Sequence, residues 1–396
     1  MISKKMESLV SNNSVIRAMF EEGKIMAAKY GAENVFDFSI GNPNVPAPDE
    51  VKEAILDILE NEDSVKVHGY MSNAGFPETR AAIAGNLNRR FGTNFNENNI
   101  IMTVGAGSAL NVLLKTMLNP GDEVVTFAPY FVEYGNYVRN YDGKLVVVPA
   151  NPEAGFMPDV KGLDAAITPA TKAVIINNPN NPTGVIYPEA VIKEIAAVLE
   201  KKQKEYGTVI YLVSDEPYRE LAYGGAEVPY LTKLYDNTVV GYSYSKSLSL
   251  PGERIGYIVI PDESHEAQEF IDAATIANRV GGFVNAPSLM QLVIARCVDA
   301  KCNVEYYERN GKNLYEGLTK AGFQCVKPEG AFYLWMKSPV EDEKEFVAAA
   351  KKYNLLLVPG SSFAGPGYVR ISYCVSYDQI VRSLPKFEEL AKEYKL

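Results

Sequence analysis

Residues 243–256 read Ser243-Tyr-Ser245-Lys246-Ser-Leu-Ser-Leu-Pro-Gly252-Glu-Arg254-Ile-Gly256. Lys246 directly follows an apolar run that is typical of a buried strand, and hydroxyl side chains flank it on both sides. An arbitrary lysine at the end of a strand is most often a surface residue. Here, however, the hydroxyl groups and the guanidinium of Arg254 would bind a phosphate, and the amine would form a Schiff base. The stretch therefore predicts a covalent ligand site at the end of a strand.

The sequence on either side of this stretch alternates short β-rich runs with helical patterns such as 108–118 and 188–206. Several of the runs are continuous Val/Ile stretches, as expected of strands that are buried on both faces. The alternation predicts an α/β domain with a mostly parallel, seven-stranded sheet, in which ligands bind at the carboxyl ends of the strands. The predicted strands are Ile100–Val104, Glu123–Ala128, Lys144–Pro149, Ala173–Asn178, Val209–Asp215, Thr238–Ser245 and Ile255–Ile260.

The pattern changes after about residue 280, where a smaller α+β domain is predicted. We expect residues 48–282 to form the large α/β domain, and residues 1–47 to pack with residues 283–396 in the small one. The predicted elements of the small domain are a long helix over Pro287–Ala321, a strand over Ala331–Met336, a helix near Glu343–Tyr353, a strand over Tyr368–Tyr373 and a closing helix.

The charge and hydropathy of the chain exclude several classes of function. The 396 residues include 39 Lys and Arg against 49 Asp and Glu, which gives a net charge of −10. A chain this acidic is a poor candidate for binding nucleic acid or an anionic membrane. We expect no transmembrane helix, because no run of about 18 apolar residues is present. The polar segment 1–10 also lacks the apolar core of a signal peptide.

Cysteine and histidine are scarce. The four cysteines form no C-x-x-C pair, so a reduced, cytoplasmic setting is the simplest interpretation. The two histidines argue against a His-ligated metal site and against His-based nucleophilic catalysis. The chemistry of this protein is therefore expected to use Lys, Asp, Tyr and Arg, without a metal.

A second segment, Asn177-Asn-Pro-Asn-Asn181-Pro-Thr-Gly184, follows an apolar run that ends at Ile176. Asn, Pro and Gly interrupt regular structure, so the segment predicts a turn, and a turn alone has no chemical role. A third segment, Val213-Ser-Asp215-Glu-Pro-Tyr218, places a carboxylate at the end of an apolar strand. A carboxylate is costly there unless it is paired, either with nearby backbone amides or with a ligand.

A fourth segment, Thr103-Val-Gly105-Ala106-Gly107-Ser-Ala-Leu110, follows a strand and opens a helix. Free backbone N–H groups at the start of a helix can bind a phosphate. The Gly-x-Gly pattern alone would also suit a dinucleotide-binding turn, but Leu110 stands where that motif has its third glycine.

These segments, in the order in which they occur along the chain, resemble the class I/II (fold-type I) pyridoxal 5′-phosphate (PLP) dependent aminotransferases, and aspartate aminotransferases in particular. The resemblance runs from about Phe38 to Ser372 and implies the two-domain fold-type I architecture. It implies that Lys246 holds the cofactor as a Schiff base and moves a proton during the reaction. The phosphate ligands that it implies are the backbone amides of Ala106 and Gly107 together with Ser243, Ser245 and Arg254.

The resemblance also assigns the groups around the cofactor ring. Asp215 would pair with the pyridine nitrogen, while Asn181 and Tyr218 would contact the phenolic oxygen. Glu216 is an alternative partner for the nitrogen, although its offset does not match the family pattern. Phe131 would stack on the ring, with its neighbour Tyr130 as the alternative.

The resemblance implies a homodimer, because Tyr70 aligns with a tyrosine that reaches the phosphate bound by the other subunit. Arg370 would bind the substrate α-carboxylate in a forked pair, although a structural salt bridge is an alternative. Gly41 and Asn181 would line the same pocket. Arg279 lies near the position of an arginine that aspartate aminotransferases donate across the dimer to a distal carboxylate, although a surface role is nearly as compatible with its register.

We therefore expect an aminotransferase that moves the amino group of an L-amino acid, aspartate or glutamate, to a 2-oxo acid with ping-pong kinetics. An aminotransferase for alanine or aromatic amino acids is one alternative. A C–S lyase or another amino-acid lyase or synthase on the same scaffold is a second. A cofactor-sensing regulator is a third, but no basic helix-turn-helix segment precedes residue 38.

Overall fold

The computed structural model describes residues 1–11 and 15–396 of the chain. Its helices are α1 (Lys4–Ser11), α2 (Val15–Tyr30), α3 (Asp49–Asn61), α4 (Ser64–His68), α5 (Pro77–Phe91), α6 (Gly105–Met117), α7 (Glu133–Asn140), α8 (Val160–Ala166), α9 (Glu189–Tyr206), α10 (Tyr244–Ser247), α11 (Ala267–Val280), α12 (Ser288–Cys297), α13 (Val304–Lys320), α14 (Glu343–Ala350) and α15 (Tyr377–Glu393). Its strands are β1 (Phe36–Asp37), β2 (Ile100–Thr103), β3 (Glu123–Phe127), β4 (Lys144–Val148), β5 (Thr171–Asn177), β6 (Tyr211–Asp215), β7 (Thr238–Ser243), β8 (Gly256–Val259), β9 (Cys325–Val326), β10 (Tyr333–Lys337), β11 (Leu355–Leu356), β12 (Val358–Pro359) and β13 (Tyr368–Ser372).

Seven strands form the central sheet in the order β2-β8-β7-β6-β5-β3-β4. Strand β8 runs antiparallel to both of its neighbours, and the other pairs are parallel. The predicted α/β fold with a mostly parallel, seven-stranded sheet is thus confirmed. In the register of the sheet, Asn177 lies opposite Asp215, and Asp215 lies opposite Gly241, so the carboxyl ends of β5, β6 and β7 meet at one edge.

The Val/Ile content of these strands is explained by burial on both faces. Helices α6 and α11 cover one part of the sheet, α8 and α9 another, and α3, α5 and α12 a third. Each fully buried Val or Ile side chain contributes about 1.5–3 kcal/mol relative to an exposed one. The apolar runs therefore fix the position of the strands, and the polar residues that follow them emerge together at the sheet edge.

A second sheet, in the order β12-β13-β10-β9, is antiparallel and belongs to the carboxyl-terminal part of the chain. The short strand β1 pairs in parallel with β11, and Phe36 and Phe38 are buried in the same apolar cluster as α13, α14 and α15. Helix α12, in contrast, packs against α3 and α5. The division of the chain at residue 283 stays a prediction.

The bounds of most predicted elements shift by one or two residues, and three predictions are wrong for a local reason that the structure shows. The predicted strand 238–245 stops at Ser243, because the Ser243 hydroxyl caps the helical turn α10 by accepting a hydrogen bond from the Ser245 amide at 3.1 Å. The predicted long helix over 287–321 is two helices, and the second begins where the Asn303 side chain accepts from the Tyr306 amide. The predicted strand from Ala331 begins instead at Tyr333, since Ala331 has a φ of 57°.

Within residues 1–11 and 15–396, no helix combines the length and apolar character needed to cross a bilayer. The same part of the chain contains no cluster of His, Cys, Asp and Glu side chains suited to a metal ion.

Candidate active site

A cavity of about 420 Å³ opens at the edge of the sheet where β5, β6 and β7 end. Most of the residues predicted from the sequence meet there, although they are far apart in the chain. The predicted residues that line this cavity are Gly41, Ala106, Gly107, Phe131, Asn181, Asp215, Tyr218, Ser243, Ser245, Lys246, Arg254 and Arg370.

Lys246 projects into the cavity from α10, the turn that follows β7. Its Nζ donates a hydrogen bond to the Gly41 carbonyl oxygen at 2.7 Å. The pKa of the Lys246 amine is lowered to about 8, mainly by burial. The positive charges of Arg254 and Arg370 lower this pKa further. A larger share of the amine is therefore neutral near pH 7 than for an exposed lysine, as a nucleophilic amine requires.

Hydroxyl groups, a guanidinium and a helix start together form an anion cradle at one end of the cavity. The hydroxyls of Ser243 and Ser245 are 2.7 Å apart. The guanidinium of Arg254 donates to the Val104 carbonyl oxygen at 3.3 Å, above the start of α6, where no side chain caps the helix. The uncapped N–H groups and the helix dipole favour an anion at this point.

Gly105 is required by the geometry of this cradle. Its φ is +75°, and a Cβ at this position would lie 2.6 Å from the Arg254 Nη2 atom. An alanine would therefore be strained and would displace the guanidinium. This close approach is a physical reason for the first glycine of the segment.

Asp215 ends β6 and is buried at the bottom of the cavity. Its Oδ2 accepts a hydrogen bond from the Tyr134 hydroxyl at 2.6 Å, whereas its Oδ1 has no partner among the described residues. Burial raises the pKa of the Asp215 carboxyl to about 7, although the Tyr134 hydrogen bond acts in the opposite direction. A buried carboxylate oxygen without a partner is the group that a cationic ligand nitrogen would satisfy.

Sequence reasoning missed Tyr134. It lies on α7, three residues after Phe131, which precedes the helix, and its ring packs edge-on against Phe131 at 5.7 Å between centroids. Nothing in the sequence singles out Tyr134, because its partner Asp215 lies 81 residues further along the chain. The predicted alternative partner, Glu216, is instead engaged in a buried ion pair with Arg219 and accepts from the Ser214 hydroxyl.

Tyr218 and Asn181 lie side by side near the centre of the cavity. The Asn181 amide approaches the Tyr218 hydroxyl at 3.5 Å, and the Tyr218 and Tyr333 hydroxyls are hydrogen-bonded at 2.8 Å. Burial and the neighbouring Tyr333 raise the pKa of Tyr218 well above its ordinary value, so Tyr218 keeps its proton and can donate. Tyr333 was also missed by sequence reasoning, since one tyrosine among 25 gives no signal.

Tyr333 also explains why residue 41 is a glycine. A Cβ on Gly41 would lie 2.0 Å from the Tyr333 hydroxyl oxygen. The backbone at Gly41, a predicted pocket residue, therefore lies so close to the Tyr333 hydroxyl that only a residue without a Cβ fits there.

Arg370 lies on β13 and is buried. Its guanidinium donates to the Ser39 carbonyl oxygen at 2.6 Å and to the Asn181 Oδ1 at 3.2 Å, and it is stacked between the rings of Tyr333 and Phe363. No carboxylate pairs with it in the described part of the chain, and its Nε atom has no partner. Burial lowers the pKa of Arg370, so an anionic ligand would relieve the cost of the buried charge.

Three of the positions considered in the sequence, Tyr130, Tyr70 and Arg279, do not line the cavity. Phe131 lines the cavity, whereas its neighbour Tyr130 is absent from the lining and donates its amide to the Phe363 carbonyl oxygen. Tyr70 and Arg279 are exposed and do not line the cavity of their own chain. The loop that follows Tyr70 contacts the segment that follows Arg279, because the Asn285 amide donates to the Ser72 carbonyl oxygen at 2.8 Å.

The cavity thus combines an amine, an anion cradle, an unpaired carboxylate oxygen and an unpaired guanidinium. This set fits a phosphorylated, nitrogen-containing carbonyl compound bound at the sheet edge, with a second, carboxylate-bearing molecule at Arg370.

The sequence and the structure of this chain are both similar to those of known proteins. The family model for aminotransferases of class I and II matches residues 33–384. A solved amino transferase from Eubacterium rectale is 47% identical, with 100% of each chain covered and a TM-score of 0.97. The probable aspartate/prephenate aminotransferase of Thermus aquaticus is 34% identical over 88% of this chain and 89% of its own. A solved Thermus thermophilus aspartate aminotransferase with maleate is 30% identical over 98% and 99% of the two chains, with a TM-score of 0.87.

Proposed function

This chain belongs to the class I and II aminotransferases, and we propose that it transfers the amino group of an acidic L-amino acid to a 2-oxo acid with PLP held at Lys246. The observation that carries the proposal is the meeting of Lys246, Asp215 and Arg370 in one cavity, where the last two each have an unsatisfied polar atom. Asp215 Oδ1 would pair with a protonated ring nitrogen, and Arg370 Nε would donate to a carboxylate.

The residues of the cavity fit PLP. The cradle of Ser243, Ser245, Arg254 and the start of α6 suits a dianionic phosphate, and Phe131 offers a ring face for stacking. When bound, PLP supplies an aldehyde that condenses with amines and a pyridine ring that withdraws electrons from the substrate α-carbon. Asp215 would hold a proton on the ring nitrogen, which supports that withdrawal.

Lys246 has two tasks in this proposal. Its amine would hold the cofactor, and the same amine, when free, would act as the base that moves the proton of the substrate α-carbon. The lowered pKa of the amine supports this role, because a base that is partly neutral near pH 7 can both take and return a proton. Tyr218 and Asn181 would donate hydrogen bonds to the phenolic oxygen, and Tyr333 would orient Tyr218.

The preference for an acidic substrate rests on charge. Arg370 would bind the α-carboxylate, while Lys246 and Arg254 are assigned to the cofactor. Among the described residues these are the only cations that line the cavity of one chain, so a side-chain carboxylate needs a cation from outside it. Arg279 of the partner subunit is our candidate for that cation.

A homodimer is part of the proposal. Tyr70 is 94% exposed, Val65, five residues before it, is 78% exposed, and Val280, next to Arg279, is 57% exposed. Exposed apolar side chains on segments that contact each other, as the segments after Tyr70 and Arg279 do, are typical of an interface. In a dimer, Tyr70 and Arg279 would each reach the cavity of the other chain, since neither serves its own.

A half-reaction screen tests the proposed function. The cofactor-loaded enzyme is mixed with each common amino acid in turn, without a 2-oxo acid, and the loss of the visible absorbance of the bound cofactor is followed. We expect aspartate and glutamate to react with the highest second-order rate constants. A preference for alanine, aromatic or sulfur amino acids would overturn the substrate assignment alone. Catalytic release of pyruvate or ammonia from an amino acid would instead identify a lyase and overturn transamination.

A further inference from the structure

A second cavity, which we call the tyrosine cavity, lies behind the turn that carries Lys246. It measures about 520 Å³ and shares no lining residue with the catalytic cavity. Its closed end is formed by Tyr242, Tyr244, Tyr257 and Ser247, and its mouth by residues of α5 and of the segment 298–304. A cavity this large and this polar differs from a packing defect, which is small and apolar.

The closed end presents hydroxyl groups. Tyr242, Tyr244 and Tyr257 pack against one another, with the rings of Tyr242 and Tyr257 stacked at 4.8 Å. Each is at least nine-tenths buried, yet no hydrogen bond involves the Tyr244 or Tyr257 hydroxyl among the residues that the structure describes. The Ser247 hydroxyl oxygen is itself buried and has no partner among these residues, whereas the Tyr244 and Tyr257 hydroxyl oxygens are open to the cavity.

These unpaired hydroxyls constrain what the cavity binds. A hydroxyl that is removed from water without gaining a partner costs about 1–3 kcal/mol, so an apolar group inserted here would leave the Ser247 hydroxyl unpaired and would take water away from the Tyr244 and Tyr257 hydroxyls. A ligand whose inner end carries a hydroxyl removes these costs. The walls above are ring faces and the apolar side chains of Leu248 and Val304, which suit a flat aromatic ring.

The mouth of the cavity carries a positive charge that is not neutralised. The Arg90 guanidinium pairs with Glu220 at 2.6 Å, and Asp299 at the rim pairs with Arg89 at 3.0 Å. Lys301 lies at the same rim, is exposed, and has no carboxylate partner within residues 1–11 and 15–396. A ligand carboxylate at the mouth would pair with Lys301.

The tyrosine cavity is also connected to the catalytic turn. The Cys302 thiol donates to the Lys246 carbonyl oxygen at 3.5 Å, and the Cys302 amide donates to the Ser247 carbonyl oxygen at 3.2 Å. Ser247 and Cys302 both line the cavity, so a bound molecule would touch the backbone that positions the catalytic amine.

We propose that the tyrosine cavity is a second ligand site, separate from the catalytic one, for a hydroxyaryl carboxylate. The hydroxyl lies among Tyr244, Tyr257 and Ser247, the ring lies against the tyrosine faces, and the carboxylate lies at Lys301. This site does not depend on the proposed substrate or cofactor of the catalytic cavity.

Binding of 4-hydroxyphenylacetate to the cofactor-loaded enzyme, measured by isothermal titration calorimetry, tests the proposal. We expect saturable binding that survives Arg370→Ala, which removes the carboxylate site of the catalytic cavity. The double variant Tyr244→Phe/Tyr257→Phe keeps the ring packing and removes only the hydroxyls. We expect it, and separately Lys301→Ala, to weaken binding about tenfold or more. Tyramine, which has the same ring but an ammonium in place of the carboxylate, should bind at least tenfold more weakly.

Three results would overturn the proposal. The first is no binding to the wild-type enzyme at millimolar probe. The second is binding that Arg370→Ala abolishes and the tyrosine variant leaves unchanged, which would place the probe in the catalytic cavity. The third is a crystal structure in which a partner chain fills the tyrosine cavity. Thermal unfolding of each variant serves as the control for folding, and Lys337→Ala, at a distant surface, serves as the control for charge.

Discussion

At the scale of single residues, the Lys246 amine has the most direct consequence for pH dependence. With a pKa of about 8, about a quarter of the amine is neutral at pH 7.5, against about one part in a thousand at its ordinary pKa. Only the neutral amine attacks an aldehyde, so the rate of PLP uptake by the cofactor-free enzyme should rise from pH 6.5 to 8.5 and then level off. Stopped-flow absorbance measures the rate.

Lys246→Ala is the control for this measurement. It should take up PLP without a covalent bond, so borohydride should trap no cofactor on the chain at any pH, and turnover should be abolished. A trapped cofactor in this variant would assign the covalent bond to another lysine. A rate that keeps rising to pH 10 would mean that the pKa of the Lys246 amine is not lowered.

Asp215→Asn tests whether the negative charge of this carboxylate stabilises a protonated ring nitrogen. Asp215→Asn keeps the size of the side chain but cannot hold a proton on a ring nitrogen. We expect turnover to fall by on the order of 10²-fold or more, the scale of losing a positioned electrostatic group, with a smaller effect on cofactor retention. Steady-state kinetics and cofactor dissociation measure the two effects.

Tyr134→Phe is the comparison for Asp215→Asn. It leaves the carboxylate in place and removes only the 2.6 Å hydrogen bond to its Oδ2, so its loss of turnover should be the smaller of the two. If Asp215→Asn changed turnover by only a few-fold, Asp215 would have a structural role.

At the scale of elements, the start of α6 depends on Gly105. Gly105→Ala would force an L-residue to a φ of +75° and bring a Cβ to 2.6 Å from Arg254. The conformation alone costs about 1–2 kcal/mol, and displacing the guanidinium weakens the phosphate site. We expect a lower melting temperature and a cofactor Kd raised at least tenfold.

Gly252→Ala, two residues before Arg254, is the matched control. A Cβ on Gly252 would meet no atom within 4 Å, and Gly252 has no positive φ. Its melting temperature and cofactor affinity should stay close to those of the wild type. If both variants lost melting temperature and cofactor affinity equally, the effect of Gly105→Ala would not be due to its positive φ and its close approach to Arg254.

The elements also show what the sequence could and could not predict. The Val/Ile runs predicted the strands of the central sheet, and the polar residues that follow β5, β6 and β7 predicted the edge at which the cavity lies. Element ends depend on single contacts, such as the Ser243 cap of α10, that no periodicity encodes. Tyr134 and Tyr333 act through partners distant in sequence, Asp215 and Tyr218, so only the folded chain brings them into view.

At the scale of the whole molecule, the proposed dimer makes a prediction about shared sites. Tyr70→Ala and Lys246→Ala homodimers should each be weak or inactive. A mixed dimer of the two would contain one cavity with an intact Lys246 and with Tyr70 donated by the other chain. Unfolding and refolding the two variants together should therefore restore about a quarter of wild-type activity, because half of the dimers are mixed and each has one complete site. No restoration would mean that Tyr70 serves its own chain or has no role.

In the proposed dimer, substrate choice would also depend on the assembly, through Arg279. Among the described residues of one chain, the cations that line the cavity are Lys246, Arg254 and Arg370, so the distal carboxylate of aspartate would be held by Arg279 of the partner subunit. Removing a charge-assisted hydrogen bond of this kind costs about 1.5–3 kcal/mol, which corresponds to about tenfold to 150-fold in kcat/KM. Arg279→Ala should therefore lower kcat/KM for aspartate by that factor and leave kcat/KM for alanine and phenylalanine within a few-fold. Arg296→Ala, at an exposed ion pair on α12, is the control for lost charge and should change neither value. Equal losses for all three amino acids would show that Arg279 does not bind the substrate side chain, and the acidic preference would then need another source.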